Sequence, residues 1–440
     1  MTVQGAAGAV SYAALVQVFA RIGLLSFGGP AGQIALMHRE LVEERGWIAE
    51  ADFLHALNIC HLLPGPEAQQ LATWIGWRLH GVRGGLAAGL LFVIPGALVI
   101  LALSLFYALA AELAGVAALF LGIKAAVLAI VVQALLRIAG RALDTGLKRG
   151  LALAAFAGLF LFDLPFPAIV LGAGVIGMVA AAYRPQWLAI APAGADSAAL
   201  PPRPWRSTLR SVLVWSAVWA APMVLIALTL GPDHVLWKIG AFFSQLAVVT
   251  FGGAYAALAY MAQEAVAGFG WLQPGEMADG LGLAETTPGP LILVTQFVGY
   301  LAAFRAPEPF SPLVAGVIGA LLTTWVTFAP CFLWIFALAP WIDRLGQAVR
   351  LKGGLAAVTA AVVGVIANLT AWFALYVLFA QVNEIAAGPL RLDWPVWASL
   401  DWRAAVLAGL AFVLAFAAKW SVLRLLAVSA VGGLALGLGL

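Results

Sequence analysis

Apolar runs dominate the chain, and polar positions gather at their ends. Between polar breaks the runs cover 11–37, 53–78, 85–111, 116–136, 151–162, 166–183, 211–230, 239–262, 277–303, 313–339, 355–380, 403–418 and 421–440. A spanning helix needs about 20 mainly apolar residues. Of the runs, 151–162, 166–183 and 403–418 are short, and 151–162 and 403–418 fit either a crossing or a half-membrane hairpin. No strand-like alternation lasts long enough for a barrel. The pattern predicts an all-α polytopic membrane protein with about 13 transmembrane segments.

Composition narrows the class. The 440 residues are 64% hydrophobic and only 10% charged, where a soluble chain carries roughly 25% charged residues. That excludes a soluble enzyme, a disordered chain and a disulfide scaffold. Net charge is +3, and no like-charge run is long enough to grip nucleic acid. Cys60 and Cys331 lie in apolar sequence and read as small buried hydrophobes, giving neither a disulfide nor a metal site. Residues 1–12 lack Lys and Arg and have no cleavage signature, so they are read as leading into a first membrane helix.

One linker stands out. Residues 184–210 hold Pro185, Pro192, Pro201, Pro202 and Pro204 beside Arg184, Arg203, Arg206 and Arg210, a composition expected of an exposed cytoplasmic loop. The domains expected are an N-terminal repeat over 1–183, the linker with a single connecting helix over 184–238, and a C-terminal repeat over 239–440.

The repeats are explicit. Phe27-Gly28-Gly29 recurs as Phe251-Gly252-Gly253, Trp47 as Trp271, and Pro64-Gly65-Pro66 as Pro288-Gly289-Pro290, all at one offset of 224 residues. Along the same offset Met37 matches Met261, Glu40 matches Glu264 and Leu57 matches Leu281. A gapless match of this length, about a third identical, marks a duplication.

Charge orients the copies. The basic loops are Arg78/Arg83, the stretch holding Arg137, Arg141, Lys148 and Arg149, the linker, and Arg344/Arg350/Lys352. With 53–78 and 277–303 counted as single crossings, all fall on one side, which the positive-inside rule makes cytoplasmic. The loop after 53–78 is then inside and its counterpart at 304–312 outside, so the repeats are inverted. Re-entrant hairpins at 53–78 and 277–303 would send Arg344, Arg350 and Lys352 to the other side, and the crossing reading is preferred.

Inverted repeats with broken helices are a transporter design, in which half-helix N-termini meet an anion near the midplane. Pro-Gly-Pro within 53–78 and 277–303 fits it. Proline removes a ladder donor and glycine accepts unusual angles. A plain proline kink is the alternative, but two copies at matched positions favour a site. The Phe-Gly-Gly elements serve equally well as close-packing glycines.

Polar residues near the breaks are the candidates, because charge within a membrane is costly. Arg21 precedes Phe27-Gly28-Gly29, where the second copy has Gln245, and is read as functional over snorkelling. His61 and Glu67 flank the first Pro-Gly-Pro, with Gln69 and Gln70 after it; Glu285, Thr286 and Thr287 precede the second. Glu67 beside an anion would oppose binding unless protonated, which suggests proton coupling; stabilising a half-helix N-terminus is the equal alternative. His61 fits packing as well as titration. Glu40 and Glu264 match across copies but sit at segment ends, chiefly as solvated groups, with coupling the minor reading. Lys124 is either a buried cation or a snorkelling one.

Some literal matches carry nothing. Gly172-Ala173-Gly174-Val175-Ile176-Gly177 fits GxGxxG, yet the fingerprint needs a soluble βαβ unit. In an apolar run, small residues so spaced mean close helix packing. Neither a Walker A sequence nor an HExxH pair occurs, so no ATP-driven step, cofactor or metal is expected.

The doubled FGG and PGP elements, with Phe27-Gly28-Gly29-Pro30 running through Trp47 to Pro64-Gly65-Pro66 and echoing after a basic linker, resemble the chromate ion transporter family in its long, two-domain form. The resemblance spans essentially the whole chain. It implies an inner-membrane exporter of chromate driven by the proton-motive force, with sulfate a competing oxyanion. It also implies substrate contacts at Phe27 to Pro30, Pro64 to Pro66, Phe251 to Gly253 and Pro288 to Pro290. Ala254 stands where the first copy has Pro30, so the halves need not act alike. Arg21, His61, Gln70 and Thr287 join the substrate candidates, and Glu67, Glu285, Glu40, Glu264 and Lys124 the coupling candidates. Partners are the transported anion and the lipid bilayer, without nucleic acid or an ATPase subunit; a homodimer is left open. The rivals are a carrier or channel for another small anion and, more remotely, an intramembrane enzyme, for which no nucleophile and base pair is apparent.

Overall fold

The computed structural model describes residues 10–27, 29–190, 205–251, 254–341, 348–388 and 390–438. Linker positions 191–204, the motif residues Gly28, Gly252 and Gly253, and Arg344 lie outside the described residues.

Local chemistry sets many helix starts. Ser11 Oγ accepts from the amide of Ala14 ahead of α1 (Tyr12–Leu25), and Thr145 Oγ1 accepts from Lys148 ahead of α6. After α1 come α2 (Gly29–His38), α3 (Glu50–Cys60), α4 (Glu67–Ala110), α5 (Ala114–Ala142), α6 (Gly146–Phe162) and α7 (Phe166–Tyr183). The connecting helix α8 (Trp205–Thr229) leads to α9 (Val235–Val249), α10 (Ala254–Gln263), α11 (Pro274–Thr286), α12 (Val294–Arg305) and α13 (Pro312–Leu338). Then follow α14 (Val349–Leu378), a hairpin of β1 (Val382–Ala387) and β2 (Leu390–Pro395), α15 (Trp402–Phe412) and α16 (Val422–Gly437). Among the described residues six helices are long and apolar enough to cross a membrane, with shorter apolar helices besides. The chain is an all-α polytopic membrane protein.

Repeat-matched runs break at matched places. Helix α1 ends ahead of Ser26 and Phe27, and 61–66 part α3 from α4; α9 ends likewise ahead of Thr250 and Phe251, and α11 is parted from α12. The helix α4 bends again at His80 and Gly81, the latter at φ 60°, which is where the sequence places the Arg78/Arg83 loop.

These breaks reverse the chain. At about 1.5 Å per residue, a helix running straight from Arg21 to Glu40 would separate them by roughly 28 Å. Their side chains meet at 3.5 Å, so α2 folds back along α1. Tyr12 packs edge-on against His80 at 5.6 Å between ring centroids, and His38 reaches Glu50 at 2.5 Å. The start of α3 and the end of the first stretch of α4 thus share one end, and that pair folds back too. Runs 11–37 and 53–78 are therefore helix–break–helix hairpins, where the sequence reading takes 53–78 as a single crossing. The charge argument failed to see this because it turned back one run in each repeat; turning back both runs of a repeat leaves the parity of crossings unchanged.

Two compact units form, and each takes helices from both repeats. The first comprises 1–102, 197–254 and 287–347. In it α13 packs on α12, α8 and α9, around a core that includes Phe19, Met37, Phe53, Phe92 and Phe336. The second comprises 103–196, 255–286 and 348–440. There α14 packs on α7, α6 and α5, and α16 lies along α5. The glycines of 172–177 serve packing: a Cβ on Gly177 would lie 2.3 Å from the Gly353 carbonyl oxygen. The β1–β2 hairpin, unforeseen in the sequence, pairs Val382 with Pro395 through Ala387 with Leu390.

Candidate functional site

Both Pro-Gly-Pro breaks lie buried in the first unit. Gly65 takes φ 108° and Gly289 φ 90°, a region that disfavours any side chain. The amide of Gly65 donates to the carbonyl of Thr250 at 2.9 Å, and the amide of Gly289 to that of Ser26 at 2.9 Å. Ser26 and Thr250 immediately precede Phe27 and Phe251, so each break of one repeat is tied to the matching bend of the other. The symmetry extends to the hydroxyls. Ser26 Oγ donates to Ile22 O and Thr250 Oγ1 to Leu246 O, both at 2.6 Å.

Glutamines line the junction. Gln33 Nε2 donates to Gly289 O at 2.6 Å, and Gln70 Nε2 donates to Pro64 O at 2.6 Å. Gln69 Nε2 donates to Thr73 Oγ1 at 3.1 Å. All three side chains are fully buried, and their Oε1 atoms have no partner among the described residues. Gln33 Nε2 also donates to Ser26 O at 3.5 Å, and the Gln70 side chain also bonds Cys331, so of the three amides only Gln69 keeps a second hydrogen. The site therefore offers that hydrogen and three acceptors suited to water or to a protonated oxyanion oxygen. The two glycine amides are already spent on inter-repeat bonds, so backbone donors to an anion must come from the first turn of α4 and from residues after Pro290.

A charge cluster stands in the same unit. Glu40 is buried, with Arg45 Nη1 at 2.5 Å and Arg21 Nη2 at 3.5 Å. Arg45 Nη1 also lies 3.5 Å from Glu44 Oε2, so the two guanidiniums meet two carboxylates. Glu40 lies in a π-helical turn, Arg39–Glu43, and Glu264 in the matching turn Glu264–Gly268. Sequence reasoning set Glu40 at a solvated segment end; the structure buries it as the holder of two arginines. Phe27, Pro30, Glu67 and Phe251 are half-buried, Thr287 to Pro290 are buried, and His61 is exposed.

A family model described as Chromate transporter matches residues 13–178 and 237–436. The chain belongs to the chromate transporter family. It is 34% identical to the chromate transport protein of Pseudomonas aeruginosa over 436 residues, covering 96% of this chain and 92% of the relative. It is 30% identical to the chromate transport protein of Cupriavidus metallidurans over 353 residues, 80% of each chain. An uncharacterized transporter of Methanocaldococcus jannaschii is 25% identical over 361 residues, 82% of this chain and 83% of the relative. No solved structure matches this family member.

The remaining coupling candidates of the chromate transporter fold lie in the second unit. Lys124 Nζ meets Asp279 Oδ2 at 3.2 Å, and Tyr107 donates to the same oxygen at 2.7 Å. Sequence reasoning missed Asp279; the signal was its place within an apolar run, opposite His55 in the repeat alignment. Glu285 accepts from Tyr255 at 2.8 Å. Glu264 lines a cavity of about 590 Å³ with Asp163, Glu384, Arg391 and Asp393. Burial, then the charge of Asp163, pushes Glu264 above the usual carboxylate range. Burial, then Glu384 and Asp163, does the same to Asp393.

Proposed function

We propose that this chain exports chromate from the cytoplasm across a bacterial inner membrane by alternating access driven by the proton-motive force, with sulfate a competing analogue. Family membership supports the substrate. The observation that carries the site is the reciprocal bonding of Gly65 to Thr250 and Gly289 to Ser26, which brings both breaks to one buried junction. A tetrahedral dianion needs several converging donors in a low-dielectric site, and binding weak enough to release it. First-turn amides, the second amide hydrogen of Gln69 and the exposed Arg21 guanidinium supply them. Alternating access would open the junction to each side of the membrane in turn. Glu67, Glu285, Glu264 and Lys124 are candidates for carrying or balancing the coupled proton. Glu40 serves better as a fixed counter-charge, and neither ATP nor a cofactor enters this scheme.

The test is chromate flux in proteoliposomes under imposed pH and voltage gradients, with sulfate as competitor. Gradient-driven chromate movement is expected, and Arg21→Ala should abolish it with membrane insertion intact. A wild-type protein that moves sulfate but not chromate would overturn the substrate; unchanged flux in Arg21→Ala would remove Arg21 from the site.

A further inference from the structure

Asp279 is a buried carboxylate with an unequal pair of oxygens. Oδ2 is held twice, by Lys124 Nζ at 3.2 Å and by the Tyr107 hydroxyl at 2.7 Å. Oδ1 is buried and has no partner among the described residues. The Asp279 side chain is 5% exposed, while that of Lys124 is 26% exposed. A fully ionised carboxylate in an apolar bundle wants donors on both oxygens, and leaving one bare is costly. A proton on Oδ1 relieves this by making the group neutral.

The surroundings fit a site that loads and unloads. From α5 comes Lys124, from the end of α4 comes Tyr107, and Glu276 on α11 itself adds a more distant negative charge. The other helices packed on α11 are α14 and α16. The basic residues of α14, Arg350 and Lys352, lie in its first turn. On α16 Ser429 is buried and Arg424 lies near its start. Lys124 thus faces Asp279 as a single close cation, partly open, and able to stay or swing away without unfolding a helix. The duplication points the same way: along the 224-residue offset Asp279 matches His55 and Glu285 matches His61, titratable residues in both copies. The helix that carries Asp279 ends at Thr286, directly ahead of Pro288-Gly289-Pro290 in the chain.

We propose that Asp279 is the proton-carrying residue of this transporter, with Lys124 as its exchangeable counter-ion and Tyr107 as the group that holds its orientation. This rests on the proton coupling proposed above. In the loading step a hydronium O–H bond breaks and an O–H bond forms at Oδ1. The carboxylate becomes neutral, a water is released, and the Lys124 ammonium is freed from its partner. Unloading is the reverse, and Lys124 re-pairs with the restored carboxylate. The ion pair marks the empty state and the neutral acid the loaded one, which gives the two states different electrostatic stability, as coupling requires.

The test uses full-length protein in proteoliposomes and two assays: chromate accumulation driven by an imposed pH gradient, and chromate–chromate exchange at equal pH. Wild type should show both; wild type with exchange but no gradient-driven accumulation would overturn proton coupling itself, and this inference with it. Asp279→Asn, which cannot load a proton, should lose gradient-driven accumulation by about tenfold or more while keeping exchange within about twofold. Asp279→Asn that still accumulates chromate like wild type, or that loses exchange to the same extent, would overturn the assignment. Lys124→Gln gives an independent arm if Asp279→Asn does not fold. Without its counter-ion Asp279 should hold its proton more tightly, moving the half-maximal pH of gradient-driven flux up by about one to three units. A pH profile unmoved by Lys124→Gln would contradict the proposal, since a merely structural lysine would lower the amount of protein and leave the profile in place.

Discussion

The amide of Gly65 donates to the carbonyl of Thr250 at 2.9 Å, joining residues from the two halves of a duplicated chain. Its mirror, Gly289 to Ser26, has the same length. Such a bond requires both the left-handed glycine and the bend that frees the partner carbonyl from its helix, so the Pro-Gly-Pro break of one repeat and the bend of the other form one device. Neither motif explains the other within its own copy.

The glycines should therefore resist substitution. In Gly65→Ala the new Cβ would stand 3.0 Å from Cys331 Sγ and 3.1 Å from Gln70 Nε2, on a backbone at φ 108°. Left-handed strain of about 1–2 kcal/mol adds to that crowding. Thermal unfolding of the purified protein should show a clear drop, and an unchanged melting temperature would show that the break relaxes freely.

Gln33 is the cross-repeat anchor of the second break. Gln33→Leu keeps the volume but leaves the Gly289 carbonyl buried without its 2.6 Å donor. A loss of about 1–3 kcal/mol in stability is expected. Denaturant titration measures it, and a neutral effect would mean that water replaces the amide.

The Arg21–Glu40–Arg45 cluster separates structure from function. Glu40 is 1% exposed, Arg45 26% and Arg21 57%. Removing one partner of a buried pair costs about 3–5 kcal/mol, while an exposed pair contributes under about 1 kcal/mol. Melting temperatures should fall most in Glu40→Ala, less in Arg45→Ala and least in Arg21→Ala. If Arg21→Ala instead proves the least stable, its effect on transport says nothing about the anion.

The acid-lined cavity of the second unit should make stability depend on pH. Glu264 and Asp393 both bind protons more tightly folded than unfolded. Their favourable contribution is complete below the unfolded carboxylate range and fades as pH rises through the raised folded values. The melting temperature should accordingly decline from mildly acid to neutral pH, and Asp393→Asn should flatten that slope. A melting temperature that climbs over the same range would contradict this account of the cavity.

Much of this molecule is readable in its sequence. The constant offset exposes the duplication, and proline with glycine marks the breaks because each forbids or permits a specific backbone state. What apolar runs hide is direction. Residues 11–37 stay hydrophobic through a hairpin, so hydropathy gives no sign of the reversal that follows Leu25. The contact of Arg21 with Glu40 was hidden for the same reason, since it needs the fold-back. Asp279 escaped notice as a lone acid in an apolar run; its partner Lys124 lies on another helix, at no spacing that sequence alone ties to it. The β1–β2 hairpin is short, mostly exposed and confined to the second copy, so neither periodicity nor repetition announced it.

The central claim is that the two breaks together receive the oxyanion. Amide hydrogen exchange of the full-length protein in lipid nanodiscs, with and without chromate, tests it directly. Chromate should slow exchange in both break segments, residues 64–70 and 287–296, in the same titration. Slowing in one segment alone, or in neither while chromate binds, would contradict it.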